Sequence, residues 1–243
     1  MLAQPLAAAE LDVFSTGAPS EAAKAIAAKF SAATGHRLAF TVGPPAAIKT
    51  KLDAGEHADV VIVPGPLVAA LMKEGKLRPA SAVEVARVGI GVVVREGAPR
   101  PDIATPAAIR QMLLDARSIA YPHPTSGGGF TGKEIERMIE QMGIADAVSP
   151  KAARTQAIAG GVALVAKGDA EVGLFNISEI LPIKGVTLVG PLPPTLQHYI
   201  IFGAAIASGA TAREPAEAFI RAMASPAAGD AWTSAGMEPV NHP

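Results

Sequence analysis

The sequence predicts an α/β protein of two lobes, each a mostly parallel sheet flanked by helices. Three observations carry that prediction. Short apolar runs alternate with helix-periodic runs up to about residue 75, and the alternation restarts beyond residue 105. A long apolar stretch, ARVGIGVVVRE at 86–96, lies between the two sets. A last apolar run and a pair of helices are left over to rejoin the first lobe, giving lobe 1 as 10–84 plus 195–243 and lobe 2 as 85–194.

The elements follow in order. LDVF at 11–14 is a short strand, and 20–34 has the spacing of an amphipathic helix with Ser20 as its cap and Gly35 as its stop. HRLAFTV at 36–42 alternates as a strand does, 46–55 is helical and ends in glycine, ADVVIV at 58–63 is a buried strand, and 66–75 is a helix closed by Gly75. The stretch at 86–96 is too long for an ordinary edge strand and is expected to cross between lobes. Beyond it come a helix from Thr105-Pro106 to Ala116, the strand SIAY at 118–121, a glycine loop and a helix over 131–142. A short connector leads to a helix at 161–168 and the strand EVGLF at 171–175. VTLVG at 186–190, the strand HYIIFGAAIA at 198–207, a helix over 212–224 and another from Ser225-Pro226 to about Ala235 complete the chain.

Composition excludes several functions. A net charge of -1 with no clustered Lys/Arg face removes the footprint of a nucleic-acid binder. The absence of cysteine excludes thiol nucleophiles, zinc fingers and disulfides. No run of 18 apolar residues is present to span a bilayer. The opening MLAQPLAAAE reads as the tail of a secretory signal with its cleavage site at Ala7-Ala8-Ala9, so residues 1–9 are expected to be a remnant on an exported protein. A late translation start would instead leave the chain in the cytoplasm.

Ligands of open α/β sheets sit beyond the carboxyl ends of the strands. Those ends carry Ser15-Thr16-Gly17, Gly43-Pro44-Pro45-Ala46, the loop up to Thr131, and Phe175-Asn176. The loop PTSGGGFTGKE holds Ser126, Gly127, Gly128, Gly129, Phe130 and Thr131 directly before a helix, as an anion nest of backbone N–H groups with two hydroxyls as added donors would. The alternative is a flexible connector whose hydroxyl caps the helix. Neither nucleotide-binding glycine pattern fits: no Ser or Thr follows Lys133, and no partner acid stands about 20 residues on. Asn176, Ile177 and Ser178 either line the site or start the next helix with Ser178 as cap. Histidines at 36, 57, 123, 198 and 242 show no paired metal-ligand spacing, and there is no nucleophile elbow. His123 and His198 are the candidate bases, each without an acid partner visible in the sequence, and Tyr121, Tyr199 and Trp232 are assigned to packing.

Four stretches, FSTGAPSEAAKAIAAKFSAATGHRL at 14–38, KLDAGEHADVVIV at 51–63, VALVAKGDAEVGLFNISEI at 162–180 and ASPAAGDAWTSAGMEP at 224–239, together resemble the molybdate-binding-protein-like branch of the type II periplasmic solute-binding proteins. The resemblance covers nearly the whole chain. It implies a two-lobed fold with a ligand cleft between the lobes, hinge closure on a small anion, monomeric capture in the periplasm, delivery to the membrane subunits of an ABC permease, and neither cofactor nor catalysis. Ser15 matches the first ligand serine of that branch. Its second belongs to a G-S-S-G loop that reads Gly43-Pro44-Pro45-Ala46 here, and an expected tyrosine is replaced by Phe175.

Proline has neither hydroxyl nor N–H, so these departures remove three donors. At ~1–3 kcal/mol each, a bare dianion would lose several orders of magnitude in affinity. The chain is therefore expected to hold an organic carboxylate, with an apolar remainder against Pro44, Pro45 and Phe175, rather than molybdate. The rival readings are a cytoplasmic effector-binding sensor of the same fold, and an isomerase or lyase acting on a carboxylate. Ser15→Ala and Gly128→Val are expected to abolish solute binding while leaving the fold intact. Unchanged affinity in both variants, measured by calorimetry, would refute this placement of the site.

Overall fold

The computed structural model describes residues 8–125, 129–156 and 158–240, except for the side chains of residues 158 and 159. Most of the expected signal remnant, and Ser126, Gly127 and Gly128 of the glycine loop, lie outside the described residues.

The chain opens with β1 (Glu10–Ser15), α1 (Gly17–Thr34), β2 (Arg37–Val42), α2 (Pro45–Asp53), β3 (Val60–Pro64), α3 (Gly65–Lys73) and β4 (Val83–Val88). It continues through β5 (Ile90–Arg95), α4 (Pro106–Asp115), β6 (Ile119–Pro122), α5 (Gly129–Gln141), α6 (Ala145–Val148), β7 (Ala152–Thr155), α7 (Ile158–Lys167), β8 (Val172–Asn176), α8 (Ile177–Ile180) and β9 (Val186–Pro191). It ends with β10 (Ile200–Ile206), α9 (Arg213–Ala224), α10 (Gly229–Ser234) and β11 (Glu238–Pro239). Two compact units result: Arg87–Ile200, and the described residues up to Ala86 together with those from Ile201 onward.

In the first unit the sheet order is β11-β4-β10-β3-β1-β2, with β1 parallel to β2 and β3 and with β10 antiparallel to β3. In the second the order is β7-β6-β8-β5-β9, with β6 parallel to β7 and β8 and with β5 antiparallel to β8 and β9. Each parallel set is the product of strand–helix–strand crossovers.

Three local expectations change. The run at 86–96 is not one strand: it breaks at Gly89, so that β4 joins one sheet and β5 the other. At the break, the Gln197 side chain takes the place of a strand partner, accepting from Ile90 N at 2.8 Å and donating to Ile90 O at 3.0 Å. It lies so close to Gly89 that a Cβ there would stand 2.7 Å from its Nε2. Second, α1 starts at Gly17, with Thr16 rather than Ser20 at the N-cap; Ser20 is buried inside the first turn and donates to Gly17 O at 2.8 Å. Pro19 is compatible with this because first-turn N–H groups have no helical partner to lose. Third, the connector after α5 holds α6 and the edge strand β7, whose polar sequence AART takes its strand form from parallel pairing with β6.

The second sheet is covered on both faces. Ile109, Leu113, Ile119, Ile135, Met138 and Leu174 pack on one side, and Val93, Ala120, Val162, Val165, Phe175 and Ile180 on the other. The alternation of β8 sends Leu174 and Phe175 to opposite faces. This overturns the expected role of Phe175 as an apolar wall of the ligand site: it is fully buried, and its ring fills space left by Gly161 and Gly173, where a Cβ would come within 2.6 and 2.7 Å of it. Trp232 and Tyr121 are buried, as packing residues should be, with Trp232 Nε1 donating to Met223 O at 2.9 Å. Tyr199 is instead exposed, with the Arg87 guanidinium 4.3 Å from its ring centroid.

Gly132, in the first turn of α5, has no such flexible neighbour. A Cβ there would strike the carbonyl oxygen of Pro122 and stand 2.9 Å from Pro124 N, backbone atoms that cannot swing aside. Gly132→Ala is expected to cost about 1–3 kcal/mol, lowering Tm by roughly 3–10 °C in a thermal melt. An unchanged Tm would show that the turn before α5 yields freely.

Candidate functional site

In the first unit the carboxyl ends of β1, β2 and β3 are tied edge to edge. Gly43 N donates to Ser15 O at 3.1 Å and Thr16 N to Ile62 O at 3.0 Å, which brings Ser15-Thr16-Gly17 beside Gly43-Pro44-Pro45-Ala46 as the sequence requires. Ser15 and Thr16 are buried, and their hydroxyls rest on backbone carbonyls: Ser15 Oγ donates to Thr16 O at 3.0 Å and Thr16 Oγ1 to Ile62 O at 3.4 Å. α1 and α2 both start at this edge without a side-chain cap hydrogen bond, Pro44 being the N-cap of α2 and Pro45 its first residue. Their first-turn N–H groups, from Gly17, Ala18, Ala46 and Ala47, therefore carry the positive ends of two helix dipoles with no cationic side chain among them.

In the second unit β6 and β8 run parallel, so that their carboxyl ends share an edge at which α5 and α8 begin. Of the expected nest, Gly129, Phe130 and Thr131 form the first turn of α5. Thr131 is buried and donates to Asn176 Oδ1 at 2.9 Å, and Asn176 Nδ2 donates to Glu179 Oε2 at 2.6 Å. In this arrangement the Thr131 proton is directed at Asn176. Asn176, not Ser178, is the N-cap of α8. Ser178 lies within that helix, buried, with Oγ unpartnered among the described residues.

Glu179 is the residue that sequence reasoning missed. The spacing Asn176-x-x-Glu179 after a strand is that of a capping box, and would have pointed to it. The carboxylate here grips the cap's side chain instead of its backbone. Burial pushes its carboxyl up from 4.5 to about 7, against the opposing pull of the Asn176 hydrogen bond.

The two histidines acquire partners. His123 Nδ1 accepts from Thr125 N at 3.2 Å and lies 3.0 Å from Thr125 Oγ1, which fixes the turn after β6. His198 Nδ1 stands 3.5 Å from Glu134, an acid partner the sequence does not reveal, although Glu134 is also held by Arg137 at 2.7 Å. A cluster of metal-type side chains, Asp12, His57 and Asp59, lies at the amino end of β3, the opposite end from Ser15. Its buried member is already committed. Burial would raise the Asp59 carboxyl, but N–H groups of Ala212, Asp12 and Thr211 outweigh it and hold the group below its ordinary range. Asp59 is thereby a structural clamp joining β1 to the start of α9.

The shift at Glu179 has a stability consequence. Between pH 4.5 and about 7 the folded chain holds a proton that the unfolded chain has lost. Stability therefore falls as pH rises through that window, and the penalty is complete above it. Glu179→Gln is expected to stabilise the protein at pH 8 by of order 2 kcal/mol, part of the shift being screened at a half-buried group, and to change little at pH 4. Parallel Tm profiles of the two proteins would contradict this.

The profile of the family described as bacterial extracellular solute-binding protein matches residues 11–238. An aconitate isomerase from a Pseudomonas species is 31% identical over 245 residues, covering 99% of this chain and 91% of that protein. Among solved structures, the periplasmic molybdate-binding protein of Azotobacter vinelandii superposes with a TM-score of 0.76 at 18% identity, covering 96% of this chain and 100% of that one. PEB3 of Campylobacter jejuni bound to L-phospholactate superposes with a TM-score of 0.74 at 19% identity, covering 94% and 99%. At such identities the structures establish the fold, which is that of the type II periplasmic binding proteins. Profile, relative and fold agree, and the chain belongs to the bacterial extracellular solute-binding protein family.

Proposed function

We propose that the protein captures a small organic polycarboxylate in the periplasm, as a monomer, and presents it to the membrane subunits of an ABC importer. The observation that carries the reading is the pair of uncapped helix starts beside Ser15, which offer backbone N–H groups and no cation. Carboxylates are recognised by such groups, as they are at helix N-termini generally. Pro44 and Pro45 supply apolar surface where a bare tetrahedral oxyanion would need donors. The loop from Ser126 through Thr131 and the end of β8 at Asn176 are assigned to carboxylate recognition within the second unit. Two comparisons support an organic acid: the relative named for aconitate, a tricarboxylate, and the L-phospholactate bound to PEB3. The rival cytoplasmic sensor has no observation in its favour.

A second reading has a specific observation behind it. The aconitate isomerase spans nearly the whole chain, and Glu179, titrating at about 7, suits general acid–base work near neutrality. An allylic isomerisation needs a single base: the carboxylate takes a proton from the methylene carbon, the double bond moves over by one carbon, and the same proton returns two carbons away. Glu179 fits that role better than His123 or His198, whose ring nitrogens engage Thr125 and Glu134.

A thermal-shift panel separates these readings from an oxyanion carrier. A tricarboxylate at 100 times its Kd is expected to add about 2.7 kcal/mol, a shift of several degrees, with molybdate, tungstate and sulfate inert. Stabilisation by molybdate alone would overturn the carboxylate reading. Proton NMR of cis- and trans-aconitate incubated with the protein then decides turnover: unchanged spectra leave a binding protein, interconversion makes it an isomerase.

A further inference from the structure

Thr131, Asn176 and Glu179 form a three-membered hydrogen-bond chain with a direction. A carboxylate only accepts, so Asn176 must turn Nδ2 toward Glu179 and Oδ1 toward Thr131, whose hydroxyl proton is then directed inward at Asn176. In that state Thr131 can offer an anion nothing but lone pairs. A proton on Glu179 gives the chain a donor at that end and lets every link reverse. The carboxyl O–H donates to Asn176 Oδ1, the amide turns over, Nδ2 donates to Thr131 Oγ1, and the Thr131 proton is released to point outward from the first turn of α5.

We propose that Glu179 is a positioning residue for anion binding in the second unit, setting through Asn176 whether the Thr131 hydroxyl repels or donates to a bound carboxylate, so that binding takes up one proton. The inference rests on the reading of Thr131 as part of the solute site. Two features support it. The chain is buried along Thr131 and Asn176, where solvent cannot substitute for a misdirected proton, and the adjacent Ser178 hydroxyl is likewise buried and unpartnered among the described residues. The carboxyl of Glu179 titrates in the range where such a switch operates.

Among the described residues no other charge sets the chain's direction. The elements packed against α8 are α7, β5, β8 and β9, and their charged residues are Lys167 and Arg95. Arg95 lies beyond Val94, which pairs with Val172 at the opposite end of β8 from Asn176. Lys167 ends α7 at the same far end, where a Cβ on the next residue, Gly168, would stand 3.5 Å from Arg95. On α5, Lys133 is exposed and Glu134 is engaged by Arg137 and His198. Lys184, beyond α8, is exposed.

The test has two arms. In the ligand-free protein, the side-chain amide resonances of Asn176 are expected to move with an apparent midpoint near 7 and to stay fixed in Glu179→Gln, where no carboxyl remains to titrate. Amide resonances that do not move between about pH 5.5 and 8.5 in the unaltered protein, a range spanning the midpoint, overturn the proposal without any variant. In the second arm, tricarballylate, a saturated tricarboxylate that cannot isomerise, is titrated calorimetrically. Its affinity is expected to fall roughly 25-fold between about pH 6.5 and 8.5 and to be flat in Glu179→Gln. Equal slopes in the two proteins overturn the proposal. A moving amide with no tricarballylate binding at any pH upholds the reversible chain and refutes instead the carboxylate reading of the site.

Discussion

Helices that begin directly at the ends of parallel strands leave their first N–H groups unpaired, and the candidate site is organised around that deficit. In the first unit the starts of α1 and α2 meet at the edge where Gly43 N reaches Ser15 O, and neither carries a side-chain cap. Ordinary surface helices satisfy such groups with a Ser, Thr or Asp cap. Here Pro44 cannot do so, and the Thr16 hydroxyl is directed at Ile62 O. These open donors are what the proposed reading assigns to an anionic solute.

Much of this is legible in the sequence because periodicity and punctuation agree. The alternation of strands and helices, the glycine stops and the cap at Thr105, which accepts from Ala108 N at 3.1 Å, are all readable locally. So is the placement of Ser15 and the Pro44 loop on one edge, because it follows from strand order alone. What cannot be read depends on distant partners. The break at Gly89 is made by Gln197, more than a hundred residues away in sequence, and β7 is a strand only because β6 lies beside it. Phe175 is drawn toward a ligand position by its neighbours in sequence; one step along a strand changes faces, and the face it occupies is the core.

In the second unit an acidic residue stands at the edge proposed here to receive an anion. Glu179 stands next to the end of β8, where a fixed negative charge would oppose an anion. Burial eases that conflict by pushing the carboxyl up to about 7, and Asn176 ties it to Thr131. Asp59 answers the same desolvation in the opposite way, through three backbone donors that keep it ionised and join distant segments of the first unit. The two carboxyls are thus pushed in opposite directions, Glu179 up by burial and Asp59 down by the N–H groups that outweigh its burial.

The wedge of Phe175 between Gly161 and Gly173 constrains how the chain could be redesigned or could drift. A ring packed against two bare backbones leaves no room for a side chain at either glycine, so this layer depends on Gly161 and Gly173 staying as they are. A substitution one residue later, at Asn176, would instead dismantle the link between Thr131 and Glu179.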